Sequence, residues 1–174
     1  MSGPLKRVRY SFGQVLSIDD FTDEQEYFLE KHRRHNRILH GAGVVFGLEV
    51  SRRKDSVVVQ PGLALDCRGE EISVCEPVES AFPQEGEKAY IILSYAEKMT
   101  DPLPAAGEDM QFSRIEESFK VTFEPHDPTA KHKWRKASLV PCENVHGIPL
   151  AKLFFNRGRW RIDRRFRRPR VLPR

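Results

Sequence analysis

Six histidines, three cysteines and the adjacent acid pairs Asp19/Asp20 and Glu116/Glu117 are the side chains with most chemistry to offer. His126, His132, Cys142 and His146 fall in one stretch at steps of six, ten and four residues. Thiolate and imidazole ligands so spread can wrap a zinc ion, but no Cys-x-x-Cys pair anchors the set. His32 and His35 lie three apart, so they share a helix face, with His40 beyond them. No carboxylate or cysteine at a recognised spacing completes a metal site there. Two other readings of this pair stay open: imidazoles hydrogen-bonded at a buried helix–sheet seam, or a histidine face against another subunit. The pairs Asp19/Asp20 and Glu116/Glu117 resemble acid–base dyads only on paper. Adjacent residues point in divergent directions, and a helix cap or a solvated face explains them better. No Gly-x-Ser-x-Gly, phosphate loop, Gly-x-Gly-x-x-Gly or His-Glu-x-x-His motif is present. The expectation is a protein with no catalytic residues, no cofactor and no bound metal.

The charge distribution carries more weight. Residues 157–174 hold nine arginines against the single acid Asp163, a local charge of +8 within a chain of formal net charge +4, so residues 1–156 carry −4. Trp160 and Phe166 interleave with Arg161, Arg164, Arg165, Arg167, Arg168 and Arg170. Such a cluster binds phosphate backbones or pairs bidentately with carboxylates on an acidic protein surface. A disordered tail that orders on its partner suits either use.

The elements that must position these residues begin with a helix. Ser17 with Asp20, and Thr22 with Gln25, stand at capping-box spacing. Acids crowd its start and Lys31, Arg33, Arg34 and Arg37 its end, as the helix dipole favours. Gly41 suits a helix stop. The expected span is Ile18 to Leu39, about 30 Å, with Phe21, Phe28, His32, His35 and Leu39 on the buried stripe. Before it, Tyr10, Phe12 and Leu16 make an extended arm too apolar to stand in solvent. After it come short strands: Val44–Val50, Ser56–Gln60, Leu63–Asp66 and Glu71–Cys75. Ala89–Tyr95 is an unbroken apolar run suited to a central strand. Lys98–Gly107 reads as an exposed loop, Ser118–Glu124 as a strand, and Pro125–Asn144 as a long irregular connection. Ile148–Phe155 and Arg159–Asp163 form a hairpin. The fold expected is α+β: a long N-terminal helix packed on an antiparallel β barrel or sandwich, with a basic C-terminal extension. Three regions follow: the arm and helix over 1–42, the β domain over 43–163, and the arginine-rich tail over 164–174.

At 174 residues, 39% apolar and 31% charged, the chain suits one soluble domain with a modest core. No apolar run approaches the length of a membrane span. The start has no apolar segment after its charges, unlike a secretory leader. An odd number of cysteines fits a reducing compartment, with Cys67 and Cys75 expected as buried thiols flanking a hairpin.

Tyr10-Ser11-Phe12-Gly13-Gln14-Val15-Leu16-Ser17-Ile18-Asp19-Asp20-Phe21 resembles the openings of phage tail and baseplate proteins. His35-Asn36-Arg37-Ile38-Leu39-His40-Gly41-Ala42-Gly43-Val44-Val45-Phe46-Gly47-Leu48 is similar to a run in small proteins of phage-tail-like contractile injection systems. So is Val57-Val58-Val59-Gln60-Pro61-Gly62-Leu63-Ala64-Leu65-Asp66-Cys67-Arg68-Gly69-Glu70-Glu71-Ile72. The resemblance implies a structural, oligomeric subunit near a baseplate or tail, assembled in the cytoplasm and partnered by other protein subunits. It brings no chemistry, and its motifs do not explain the nine arginines. On the residues alone, nucleic-acid binding through the tail is the rival function, and a histidine-based hydrolase or metal enzyme the third. Tyr10, Phe12, Leu16, Trp160, Arg161, Arg164, Arg165, Phe166, Arg167, Arg168 and Arg170 are the expected interface.

Overall fold

The structure is a computed structural model that describes residues 5–103, 111–130, 141–144 and 146–171. The chain enters through the arm and turns at Gly13. Helix α1 spans Ile18–His35 and continues as one wider π turn over Asn36–His40. Ser17 and Asp20 form the reciprocal capping box that their spacing predicts.

Six short strands follow: β1 (Gly43–Gly47), β2 (Val50–Arg52), β3 (Ser56–Val59), β4 (Gly62–Leu65), β5 (Glu71–Val74) and β6 (Val78–Ala81). Then come two long strands, β7 (Lys88–Leu103) and β8 (Gln111–Glu124), and a hairpin of β9 (Ile148–Asn156) and β10 (Arg159–Ile162). Among the described residues all pairings between these strands are antiparallel, in three sheets ordered β1-β4-β5, β2-β3-β6 and β10-β9-β7-β8. The early strands are not a simple meander. β1 passes over β2 and β3 to pair with β4, because the chain changes sheet at Gly47-Leu48, both in the left-handed region. A Cβ on Gly47 would overlap the Pro61 carbonyl oxygen, so only glycine permits this close crossing.

One core joins the sheets. Val44, Ala64, Ile72 and Val74 come from the first, Val57 and Val59 from the second, and Ile91, Leu93, Leu150, Leu153 and Trp160 from the third. β7 is the central strand that its apolar run predicts, paired with β9 over Lys88–Leu93 and with β8 from Tyr90 to Leu103. Beyond Leu93 it loses β9 and continues with β8 as a two-stranded ribbon, where an exposed loop was expected. Met99 and Ile115 face each other on that ribbon, exposed.

The expected architecture of a helix packed on a barrel is not what forms. The fold is mainly β, with a curled sheet that does not close and a helix that buries none of its residues. The stripe chosen from periodicity faces outward: Phe21 is 52% and Phe28 55% exposed, and His32 and His35 are exposed with them. The helix touches the β domain instead through Arg33, Asn36 and Arg37, whose partners are backbone carbonyls and carboxylates. Hydrophobic periodicity locates an apolar face but does not say that this chain covers it. The C-terminal stretch is likewise no free extension. Val44 N donates to Pro169 O (2.9 Å) and Val171 N to Val44 O (3.0 Å), laying residues 169–171 along β1. Among the described residues no helix is long and apolar enough to cross a membrane.

Candidate docking surfaces and a polar junction

The arm folds back against its own helix. Tyr10 Oη donates to Glu24 Oε2 at 2.7 Å, and this bond raises the tyrosine's pKa. Phe12 is left at full exposure (109%), with Val15, Leu16, Ile18, Phe21, Phe28 and Leu39 also exposed. An apolar face of this length is more than the scattered exposure usual on a monomer.

The arginine region divides in two. Trp160 is a core residue (6% exposed) that donates to Pro83 O at 3.0 Å and stacks with Phe82, so it is not an exposed anchor. Phe166 packs edge-on against Tyr90, half-buried. Arg168 donates to the Leu48 carbonyl and pairs with Glu49 (2.9 Å), an intramolecular partner that the scattered acids of residues 1–156 did not suggest. Arg161, Arg164, Arg165, Arg167 and Arg170 stay exposed, and Arg164, Arg167 and Arg170 join Arg168 in lining a shallow groove of about 420 Å³ beside Phe166.

A third place is built from the β4–β5 turn. Asp66 Oδ1 accepts from the backbone N–H groups of Arg68 (2.8 Å) and Glu70 (2.9 Å), and Gly69 N donates to Asp66 O (3.1 Å). That closed turn presents two carbonyls to the helix end. Arg37 donates to Arg68 O, and Asn36 Nδ2 to Gly69 O at 2.9 Å. Arg37 also pairs with Glu30 (2.7 Å), and Arg33 Nε lies 2.7 Å from Glu70. Burial raises the pKa of Glu70, and the facing Arg33 opposes it. A cleft of about 720 Å³ opens beside the turn, lined among others by Arg33, Asp66, Glu70, Tyr95, Glu97 and Cys142.

The structure does not assemble the histidines as the sequence grouped them. His35 and His40 rings lie 5.3 Å apart, both exposed, and His32 is exposed too, so no buried seam forms. His126 is exposed, and His132 lies outside the described residues. Among the described residues, one group of three has ligand atoms mutually within 4.8 Å: Cys67, Cys142 and His146. Cys67 is buried as expected, whereas Cys75 is exposed. Sequence reasoning missed Cys67 as a partner of the other two because only the fold brings together cysteines 75 positions apart.

No protein-family model and no curated protein sequence matches the chain. Solved structures do match in fold. A chain of the type VI secretion system TssK-TssF-TssG baseplate subcomplex aligns over 95% of this chain and 62% of its own, with a TM-score of 0.56 and 14% identity. A chain of the baseplate complex from the type VI secretion system aligns over 96% and 60%, with TM-score 0.54 and 14% identity. The crystal structure of TssK aligns over 92% of this chain and 41% of TssK, at 0.53 and 12%. The chain thus spans about two fifths to three fifths of the structures it resembles. At these identities the likeness defines a shared fold.

Proposed function

We propose that this chain is a structural, non-catalytic subunit of a phage-tail-like contractile injection particle, held at the baseplate by contacts with other protein subunits. The observation that carries the reading is the fold likeness, over nearly the whole chain, to proteins solved within type VI secretion baseplate complexes. The sequence motifs support the same class independently. The arm and the outer face of α1, from Tyr10 and Phe12 through Leu16, Phe21 and Phe28, form the apolar docking face. A protein surface that covers these side chains removes them from water, worth about 25 cal/mol per Å² of apolar area. Arg161, Arg164, Arg165, Arg167 and Arg170 make the electrostatic contact, and their partner is an acidic protein surface, where charge-assisted arginine bonds outlast simple screening. Assembly takes place in the cytoplasm.

The test is incorporation. Particles purified from cells carrying a tagged chain should contain it. Replacing Arg164, Arg165 and Arg167 together with glutamine should deplete it from particles, while the purified wild type shows no tight DNA binding at physiological salt. Tight, steeply salt-dependent DNA binding together with normal incorporation of the triple variant would favour the nucleic-acid role instead.

A further inference from the structure

The group formed by Cys67, Cys142 and His146 serves none of the docking surfaces. We propose that these three side chains form a zinc site that clamps the segment leading into β9 onto the β4–β5 turn. Cys67 follows Asp66 at the end of β4, and the other two ligands come from the connection that precedes β9. Cys67 Sγ lies 3.7 Å from His146 Nδ1, and all three ligand atoms are mutually within 4.8 Å. Tetrahedral zinc with ordinary bond lengths sets sulfur and nitrogen roughly 3.6 Å apart, so little movement closes the site. Two soft thiolates and an imidazole select zinc over magnesium or calcium, which want oxygen.

Two further features fit. Asp66 Oδ2 is buried with no hydrogen-bond partner among the described residues, and Asp66 shares the cleft with Cys142. Three protein ligands leave a fourth position to water. The connection from β8 to β9, residues 125–147, is also long for a compact domain, and clips that close long loops stabilise most. Zinc binding expels the thiol protons, and apparent affinity rises with pH.

The test uses the full chain purified under reducing conditions from zinc-supplemented cells. Metal analysis should find about one zinc per chain, lowered at least tenfold in Cys67→Ser and in Cys142→Ser, and retained in Cys75→Ser and His126→Ala. Should the cysteine variants fail to fold, the wild type still decides. After chelation, added Co²⁺ should give the visible bands of tetrahedral, thiolate-bound cobalt, and added Zn²⁺ should displace them and raise Tm. Wild type without zinc and without cobalt bands would overturn the proposal. So would an intact mass showing Cys67 and Cys142 joined as a disulfide.

Discussion

Gly69 and Arg37 set how the helix meets the β domain. Gly69 has φ of +91°, and a Cβ there would overlap the carbonyl oxygen of Arg33. Gly69→Ala therefore adds left-handed strain to a steric clash. The strain alone costs about 1–3 kcal/mol, or a Tm lower by roughly 2–4 °C for each kcal/mol. Arg37, with a side chain only 4% exposed, bridges Glu30 and the Arg68 carbonyl. Arg37→Ala leaves that carbonyl without its donor and should cost about 2 kcal/mol in urea unfolding. Arg37→Lys should recover little, since one ammonium cannot reproduce the fork. Glu79 provides a pH test. Ser56, and after it Arg53, hold its carboxylate pKa below the usual value. A depressed folded pKa means that the contribution is present above the unfolded value near 4.5 and lost as pH falls through the folded value. Glu79→Gln should thus lower the urea midpoint at neutral pH and be indistinguishable from wild type in strong acid.

At the scale of elements, the helix ends and strand order were legible to different degrees. The Ser17–Asp20 box gave the helix start because capping is local chemistry. The β9–β10 hairpin was also legible. Its turn residues Arg157 and Gly158 both take positive φ, as a two-residue hairpin turn requires. The partner of β1 was not legible, since the change of sheet at Gly47-Leu48 depends on a contact with Pro61 in the later turn between β3 and β4. Nor was the helix's docking face, because seven-, four- and three-residue periodicity marks Phe21 and Phe28 as apolar without naming what covers them. In the sequence Arg33 and Arg37 read only as cations suited to a helix end, and Asn36 carries no signal of its docking role. This gives a separable expectation. Phe21→Asp with Phe28→Asp should change monomer stability by no more than about 0.5 kcal/mol, as exposed substitutions do, yet abolish incorporation. Deleting residues 1–16 should do the same, and an unfolded truncated chain would place the arm in the intramolecular core.

For the whole molecule, the charge division reads differently once the chain is folded. The sequence put +8 on a free tail. In the structure Phe166 packs on Tyr90, Arg168 reaches Glu49, and residues 169–171 run beside β1, so the arginines are displayed from a fixed ridge. A fixed ridge loses less conformational entropy on binding than a disordered tail, and it demands a partner whose acids match its layout. Composition could report the charge and its place along the chain, but the fixing contacts join residues about 75 to 125 apart in sequence. The central claim, that this is a baseplate-associated structural subunit, is tested most directly by locating the chain. Cryo-electron microscopy of particles purified with a tagged copy, the tag marked by gold, should place label at one end of the particle. Loss of that label in the Phe21→Asp, Phe28→Asp variant would tie the position to the helix face. Particles uniformly free of label, with the folded protein recovered apart from them, would contradict the account.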